Sequence, residues 1–181
     1  MISQGRVIRL FFSLQESWSL LVYNTLTKNK EEFAPLQPGR VQVYACGVTV
    51  YDDCHLGHAR SAVVFDVMVR YLRFQGFTVT WVRNFTDIDD KIIRRAQQEN
   101  TSWQHIAETY IAAFQRDMTA LGIGPADIEP RATQHVDDII RIIGVLESKG
   151  FAYRRDGDVY FPVTKFPGYG KLSGRSLDDM L

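Results

Sequence analysis

The sequence has few cysteines, no excess of charge of either sign and no long apolar run. Two cysteines among 181 residues exclude a disulfide framework and favour a reducing compartment. The 21 basic and 21 acidic side chains balance, so the chain lacks the basic character of a small nucleic-acid-binding domain. The apolar run from Val7 to Phe12 is too short for a membrane span or a secretory signal. We therefore expect a cytoplasmic protein that makes no membrane contact.

What the sequence does contain is enough for a folded core. Hydrophobic residues make up 45% of the chain and aromatic residues 12%, which excludes a disordered chain. A chain of this length buries roughly 70% of the surface that it exposes when unfolded.

The order of the predicted elements indicates an α/β fold. Residues 41–47 have the apolar, β-branched character of a buried strand, residues 55–75 have one apolar helical face, and residues 77–83 form a second strand. A strand, a helix and a strand within about 40 residues form a βαβ unit, so the two strands are expected to be parallel. We expect no third parallel strand.

The rest of the chain alternates between helices and short strands. Thr101 or Ser102 is expected to cap one helix and Thr133 another, and the later helix carries its apolar residues on one side. The predictions are a strand at Leu21–Asn24, a loop at 28–40, helices at 87–99, 101–121 and 133–149, and a hairpin that turns at Asp156 and Gly157.

Residues 46–58 form the densest group of chemically useful side chains. They follow the first strand of the βαβ unit, where open α/β sheets bind ligands, and they run into a helix N-terminus, where free amides suit phosphate. His55 and His58 lie on the same side of the first helical turn, and both can donate hydrogen bonds to phosphate oxygens. Gly57 has no Cβ, so a flat ring can approach the backbone. The competing interpretation is a capped helix start with solvated histidine rings.

This stretch resembles the class I aminoacyl-tRNA synthetases, whose HIGH motif is present here as His55-Leu56-Gly57-His58. The similarity is closest to the cysteinyl-tRNA synthetases, and it covers the chain from about residue 20 to its end. Five stretches match in the right order: residues 23–27, 44–52, 82–93, 129–133 and 169–173.

The resemblance implies a function and a domain plan. The function is ATP-dependent ligation of cysteine to tRNA(Cys) through cysteinyl-adenylate, with L-cysteine, ATP and tRNA(Cys) as partners. The fold is the first half of a Rossmann-like nucleotide-binding fold with a parallel sheet and an inserted acceptor-end domain. We expect a poorly ordered extension at 1–19, the nucleotide-binding catalytic half at 20–121, an incomplete inserted region at 122–181, and a monomer.

The resemblance also implies roles for particular residues. His55 and His58 are expected to be catalytic and to bind ATP together with Gly57, while Gly47 and Thr86 are expected to bind the substrate amino acid. Cys46 matches the first zinc ligand of the family. A zinc ion with an open position binds a thiolate directly, which distinguishes cysteine from serine.

Two cofactor expectations follow from the same resemblance. Mg²⁺ is expected to accompany ATP, which is itself a substrate. The remaining zinc ligands and the KMSKS loop are expected beyond the end of this chain. The 181 residues alone are therefore expected to bind zinc weakly and not to charge tRNA.

Some residues near the motifs have simpler interpretations. We interpret Cys54 as a buried free thiol that binds no metal. Asp89 and Asp90 are interpreted as a helix cap and an acidic first turn, and the same alternative applies to Thr86 and Asp87. The helical arginines, which we interpret as solvated rather than RNA-binding, are Arg70, Arg73, Arg94 and Arg95.

Two other functions remain open at this stage. The first is the related cysteine ligase of mycothiol synthesis, which shares the HIGH site and the zinc ligand and joins cysteine to an amino sugar. The second is a catalytically inactive paralogue that binds a nucleotide, a tRNA or another protein.

Overall fold

The computed structural model describes residues 20–176. Contacts divide the chain into two units, Pro35–Tyr169 on the one hand and Met1–Ala34 with Gly170–Leu181 on the other. The predicted extension at 1–19 lies outside the described residues, and the domain boundary at 121 stays a prediction. The strands are Leu21–Asn24 (β1), Asn29–Glu32 (β2), Arg40–Ala45 (β3), Thr78–Arg83 (β4), Tyr153–Arg155 (β5) and Asp158–Tyr160 (β6), and the α-helices are Leu56–Phe74 (α1), Asp90–Gln98 (α2), Trp103–Ala120 (α3) and Val136–Ser148 (α4).

The smaller unit contains an antiparallel hairpin of β1 and β2. The prediction of β1 is confirmed, whereas the prediction of an uninterrupted loop at 28–40 is wrong because β2 lies within it. The four residues of β2 are polar, so no apolar alternation marks them as a strand. They are extended because they pair with β1, and Lys28 closes the turn with a positive φ of 59°.

The larger unit is built on the predicted βαβ unit, which is confirmed. Strands β3 and β4 pair in parallel from Arg40 opposite Thr78 to Ala45 opposite Arg83, and α1 makes the connection. Alternate residues of each strand are buried, as expected for strands whose one face is packed against a helix. Trp81 of β4 is among the largest fully buried side chains.

A further extended segment, residues 128–131, lies parallel to the outer edge of β4. The amide of Arg83 donates to the carbonyl of Ile128 at 3.0 Å, and the amide of Phe85 donates to the carbonyl of Pro130 at 2.9 Å. Pro130 has no N–H, so the ladder bond between these two contacts is absent and the segment pairs only as isolated bridges. Within the described residues the sheet of β3 and β4 therefore has two strands, and residues 128–131 extend it only through these bridges.

Helix α2 begins three residues later than predicted. Asp89 is its N-cap, with a carboxylate that accepts the amide of Lys91 at 2.8 Å, and Asp90 opens the first turn, so both simpler interpretations are confirmed. Asp87 is buried instead of helical. Its carboxylate accepts the amide of Thr133 at 3.0 Å and the hydroxyl of Thr133 at 2.5 Å.

That bond also explains why the predicted cap of α4 is wrong. Thr133 lies inside a 3₁₀ turn, Ala132–His135, and its side chain is committed to Asp87, so α4 begins only at Val136. The apolar side of α4 has no buried residue, and Ile140 is largely exposed.

The remaining predictions of local structure are confirmed. Ser102 caps α3 by accepting the amide of His105 at 3.1 Å. Strands β5 and β6 pair across a turn in which Asp156 and Gly157 both have positive φ, as a two-residue hairpin of this kind requires. No helix within the described part of the chain has the length and apolar character that a membrane span requires.

The Asp87–Thr133 contact predicts an unequal effect of two aspartate substitutions. Asp87→Ala leaves the amide and the hydroxyl of the half-buried Thr133 without this acceptor, and we expect it to lower the free energy of unfolding by about 2–3 kcal/mol. Asp89→Ala removes one exposed helix cap and should cost about 1 kcal/mol. Urea unfolding of both variants measures the difference, and equal losses would contradict the bridging role of Asp87.

Candidate functional site

A pocket of about 180 Å³ lies where β3 and β4 end. It is lined by residues 45–48, by one side of α1 that includes His58, by Trp81 and Arg83 of β4, and by Phe114 of α3. The sheet and two helices therefore surround a space at the carboxyl ends of parallel strands, which is the usual ligand position in an open α/β sheet.

The two motif histidines form a reciprocal cap at the start of α1. The Nδ1 atom of His55 accepts the amide of Gly57 at 3.0 Å, and the Nδ1 atom of His58 accepts the amide of His55 at 3.3 Å. The rings stack with their centroids 3.9 Å apart. Because Nδ1 is an acceptor in both rings, each neutral ring carries its proton on Nε2.

This arrangement changes which groups are available to a phosphate. The amides of Gly57 and His58 are already bonded to His55, so the helix N-terminus offers fewer free N–H groups than the sequence suggested. The cap leaves the two Nε2–H groups of the stacked rings available as donors. The capped-start interpretation is thus correct, and it is compatible with phosphate binding because capping uses only Nδ1.

Gly57 has a local steric role in this pair. A Cβ at position 57 would lie 2.8 Å from Cε1 and 2.9 Å from Nδ1 of His55. Any larger residue therefore displaces the ring of His55 from its position above the helix start. The glycine of the motif therefore matters for the position of the His55 ring and not for the backbone.

His58 has a lowered pKa. Burial against the pocket is the larger cause, and the charge of His55 is the second, since both disfavour a proton on His58. His58 is therefore neutral at pH 7 and acts as a hydrogen-bond donor through Nε2.

Gly47 and Asn84 fix the end of β3 against the end of β4. The side-chain oxygen of Asn84 accepts the amide of Gly47 at 2.8 Å and the hydroxyl of Tyr44 at 2.9 Å. A Cβ at position 47 would lie 1.5 Å from the backbone oxygen of Asn84, so no other residue fits there without moving the backbone. Asn84 had no role in the sequence-based predictions, although a polar residue directly after a buried strand is a usable signal.

The loop that joins β3 to α1 is held in place at several points. The amide of Thr86 donates to Val48 at 3.0 Å, and the amide of Val50 donates to Thr86 at 3.3 Å, so Thr86 extends the sheet through its backbone. Val50 is fully buried beneath the loop. Tyr51 receives the ammonium of Lys91 over its ring at 5.2 Å.

The two cysteines differ in their surroundings. Cys46 is exposed and lines the pocket, and its thiol makes one long contact, 3.7 Å, with the carbonyl of Gly47. The pKa of Cys54 is raised, first by burial and then by the charges of Asp117 and Asp53, with Arg83 acting in the opposite direction. Cys54 therefore favours the neutral thiol, which is a poor metal ligand.

The residues present do not by themselves fit a zinc ion. Among residues 20–176 there is no group of three or more His, Cys, Asp or Glu side chains that is placed to hold a metal. Cys46 supplies a single accessible sulfur, whereas a protein zinc site needs three or four ligands.

The predicted site residues are therefore brought together only in part. Cys46, Gly47 and His58 line one pocket, and His55 stacks on His58. Gly57 and Thr86 are not among the lining residues. Trp81 and Arg83 do line the pocket, and the sequence-based predictions missed both residues. The signal that could have found them is the alternation of β4, which places an arginine on the buried side of the strand.

The helical arginines that were considered for RNA contact have partners within the chain. Arg70 pairs with Asp66, Arg73 pairs with Asp127, and Arg95 pairs with Glu99. The interpretation of these arginines as solvated rather than RNA-binding stays a prediction.

Comparison with known families identifies the fold that carries this site. The family model described as the class I (C) tRNA synthetase catalytic domain matches residues 32–181. This chain belongs to that family.

Curated relatives of this chain are named cysteine–tRNA ligase. The protein from Syntrophobacter fumaroxidans is 64% identical over 162 residues, which are 90% of this chain and 33% of the relative. The protein from Desulfovibrio desulfuricans is 58% identical over 163 residues, which are 90% of this chain and 34% of the relative. The chain thus spans about a third of the length of the curated relatives that it matches.

Solved structures with a similar fold are also class I synthetases. A Mycobacterium tuberculosis methionyl-tRNA synthetase in complex with methionyl-adenylate matches 62% of this chain with a TM-score of 0.55, and the match covers 23% of that structure. The LeuRS–tRNA–LeuAMS ternary complex of Agrobacterium radiobacter K84 matches 68% with a TM-score of 0.58, and the match covers 16% of that structure. Both are 22% identical, so they confirm the predicted α/β fold and nothing further.

The contact between Gly47 and Asn84 predicts that two glycines of this chain respond in opposite ways to alanine. In Gly47→Ala the new methyl group would overlap the backbone oxygen of Asn84, so the Cys46–Gly47 backbone should be displaced. We expect the free energy of unfolding to fall by roughly several kcal/mol. Gly144→Ala, in α4, meets no atom within 4 Å and should be neutral or stabilising by up to about 1 kcal/mol. Thermal unfolding of the two variants measures both effects; a tolerated Gly47→Ala would show that the contact is not rigid.

The environment of His58 predicts its titration. In NMR pH titrations of the ring, the midpoint of His58 should lie below the ordinary value of about 6.5. His55→Asn keeps a residue that caps helices well but removes the neighbouring charge, so the pKa of His58 should rise and still remain below the ordinary value, because burial is the larger cause.

Because the pKa of His58 is lowered by folding, the folded state is more stable at high pH than at low pH. The contribution of His58 is present above the ordinary histidine pKa and is lost as the pH falls through the lowered value, because the unfolded chain binds the proton first. A midpoint equal to that of the urea-unfolded chain would contradict this description of the site.

Proposed function

We propose that this chain is the nucleotide-binding part of a cysteine–tRNA ligase, which joins cysteine to tRNA(Cys) with ATP through cysteinyl-adenylate. The observation that carries the proposal is the stacked His55–His58 pair at the start of α1, beside a pocket that Cys46 and Gly47 also line. Family membership and curated relatives named cysteine–tRNA ligase support the same reaction.

The histidine pair supplies the chemistry expected at the ATP phosphates. Adenylate formation is a displacement at the α-phosphorus, in which the cysteine carboxylate attacks and pyrophosphate leaves, so positioning and charge stabilisation do most of the work. With Nδ1 of each ring used in the cap, the Nε2–H groups of His55 and His58 donate to phosphate oxygens as negative charge shifts toward the leaving group. Gly57 allows this ring position.

The amino-acid end of the reaction is assigned to the carboxyl ends of β3 and β4. Cys46 and Gly47 line the pocket there, and Thr86 bonds through its backbone to the residues that follow them. We propose Gly47 and Thr86 as contacts of the substrate cysteine. The rigid Gly47–Asn84 contact holds this part of the backbone in place.

Zinc and magnesium enter the proposal only as expectations. Cys46 is proposed as one zinc ligand, and the other ligands would have to come from outside the described residues, so no step is assigned to the metal. Mg²⁺ is expected with ATP. The tRNA partner, the cytoplasmic location and the monomeric state stay predictions.

A chimeric enzyme tests the proposal. Residues 20–181 of this chain replace the matching third of the Syntrophobacter fumaroxidans relative, and cysteine-dependent ATP–pyrophosphate exchange and tRNA charging are measured. We expect activity in the chimera, and His55→Ala or His58→Ala should each lower kcat by about 10²–10³ because a donor to the transition state is lost.

The matched control is His135→Ala. His135 contacts Asp138 at the start of α4 and is not part of the pocket, so exchange should be unchanged. Exchange that survives either motif substitution at full rate would overturn the assignment of the histidine pair, and a folded but inactive chimera would overturn the proposed function.

A further inference from the structure

We propose that Arg95 is a positioning residue for the histidine pair, because it ties the loop before His55 to helices α2 and α3. Arg95 does not line the pocket, so it acts through the loop and not on a substrate. The consequence for catalysis rests on the proposed function, whereas the positioning itself does not.

The loop that leads into His55 has little support from its own backbone. Residues 52–54 make no backbone–backbone hydrogen bond to any residue within 20–176. The last such contacts before them are made by the amides of Val50 and Tyr51, which donate to Thr86 and Thr49. The path of the chain into α1 therefore depends on side-chain contacts.

Arg95 joins this loop to two helices. Its Nε donates to Glu99, one turn later in α2, and its Nη2 donates to the hydroxyl of Tyr110 in α3 at 2.6 Å. The ring centroid of Tyr110 lies 5.3 Å from the guanidinium carbon. The remaining nitrogen, Nη1, lies 3.4 Å from Oδ1 of Asp52 in the loop. Two helices thus fix the guanidinium that pairs with the loop.

Asp52 passes this contact to the backbone. Its Oδ1, the atom that pairs with Arg95, also accepts the amide of Asp53 at 2.9 Å. Asp53 is two residues before His55, whose ring forms the cap of α1. By holding the Asp52 carboxylate, Arg95 therefore holds the backbone from which the histidine pair begins.

A second contact joins the same helix to the same loop. The ammonium of Lys91, one turn before Arg95, lies 5.2 Å from the ring centroid of Tyr51. Ile92 and Ala96 of the same helix are buried, so α2 is firmly packed. Two successive loop residues are thus held by two successive turns of a packed helix.

The two ends of the site are held by different contacts. The Cys46–Gly47 backbone is fixed by Asn84, whereas the start of α1 depends on the loop. Loss of Arg95 should therefore affect the histidine pair and leave the binding of cysteine unchanged. The side chains of Arg95 and Asp52 are 30% and 57% exposed, so we expect an effect of only about threefold to fivefold.

NMR of the 181-residue chain tests the positioning without any need for activity. The ring signals of His55, assigned with His55→Asn, are compared in Arg95→Met, in Asp52→Asn and in the double variant. Asp52→Asn keeps an oxygen for the Asp53 amide and removes the charge that faces Arg95. Because it changes only an exposed loop residue, we expect it to fold even where Arg95→Met is destabilised.

We expect each single variant to shift the His55 signals. The double variant should shift them no further than Arg95→Met alone, because both substitutions act on one contact. Arg94→Met is the matched control: Arg94 precedes Arg95, and its Nε bonds only to the carbonyl of Asp90 in its own helix, at 3.3 Å. That variant should leave the His55 signals unchanged.

The chimeric enzyme tests the consequence for the reaction. With rates expressed per active site by titration, Arg95→Met and Asp52→Asn should each lower kcat of cysteine-dependent ATP–pyrophosphate exchange by about threefold to fivefold, with the KM for cysteine unchanged. A loss of folding alone would reduce the number of active sites and leave this kcat as it was. Arg94→Met should match the parent chimera.

Two results would overturn the proposal. One is additive shifts of the His55 signals in the double variant, which would mean that Arg95 and Asp52 act on the ring independently. The other is a kcat in folded Asp52→Asn equal to that of the parent chimera. Non-additive shifts together with an inactive parent chimera would support the positioning and overturn the proposed function, so the two failures are distinguishable.

Discussion

The backbone oxygen of Asn84 occupies the place where a side chain at position 47 would begin, and the geometry of the pocket depends on this contact. It brings the carboxyl ends of β3 and β4 together, so that Cys46 leaves the sheet at the pocket and the following loop runs to α1. The side chain of Asn84 supports the contact by accepting the Gly47 amide. Thr86 then continues the pairing along the loop, which carries the chain to His55.

The parts of the fold that could be predicted from sequence are those with a local cause. The apolar alternation of β3 and β4, the single apolar face of α1 and the hydroxyl of Ser102 before α3 are each readable within a short window. The turn at Asp156 and Gly157 is readable for the same reason, since two consecutive positive φ angles favour those residues.

The parts that were missed have distant causes. Strand β2 is polar and becomes a strand only by pairing with β1, and residues 128–131 join the sheet although Pro130 removes a ladder bond. Thr133 precedes an apolar run in the manner of a helix cap, but its hydroxyl is used by Asp87, which is 46 positions earlier. No window of neighbouring residues contains these partners.

The residues of the candidate site also include some that a short window of sequence could predict and some that depend on a distant partner. Cys46, Gly47 and His58 could be placed together because they belong to one strand, loop and helix start, and their motif is contiguous. Arg83 and Asn84 contribute from the neighbouring strand, and their roles appear only when β4 lies beside β3. An arginine on the buried side of a strand was visible in the alternation, but its surroundings were not.

The stacked histidine pair has a consequence for how a polyanion would be held and released. A charge on His55 disfavours a second one on His58, so the pair acts mainly through directed hydrogen bonds rather than through accumulated positive charge. Directed bonds between neutral donors and a phosphate are screened little by dissolved ions, unlike contacts made by lysine clusters. If a phosphate binds at this helix start as proposed, its affinity should therefore vary only weakly with salt.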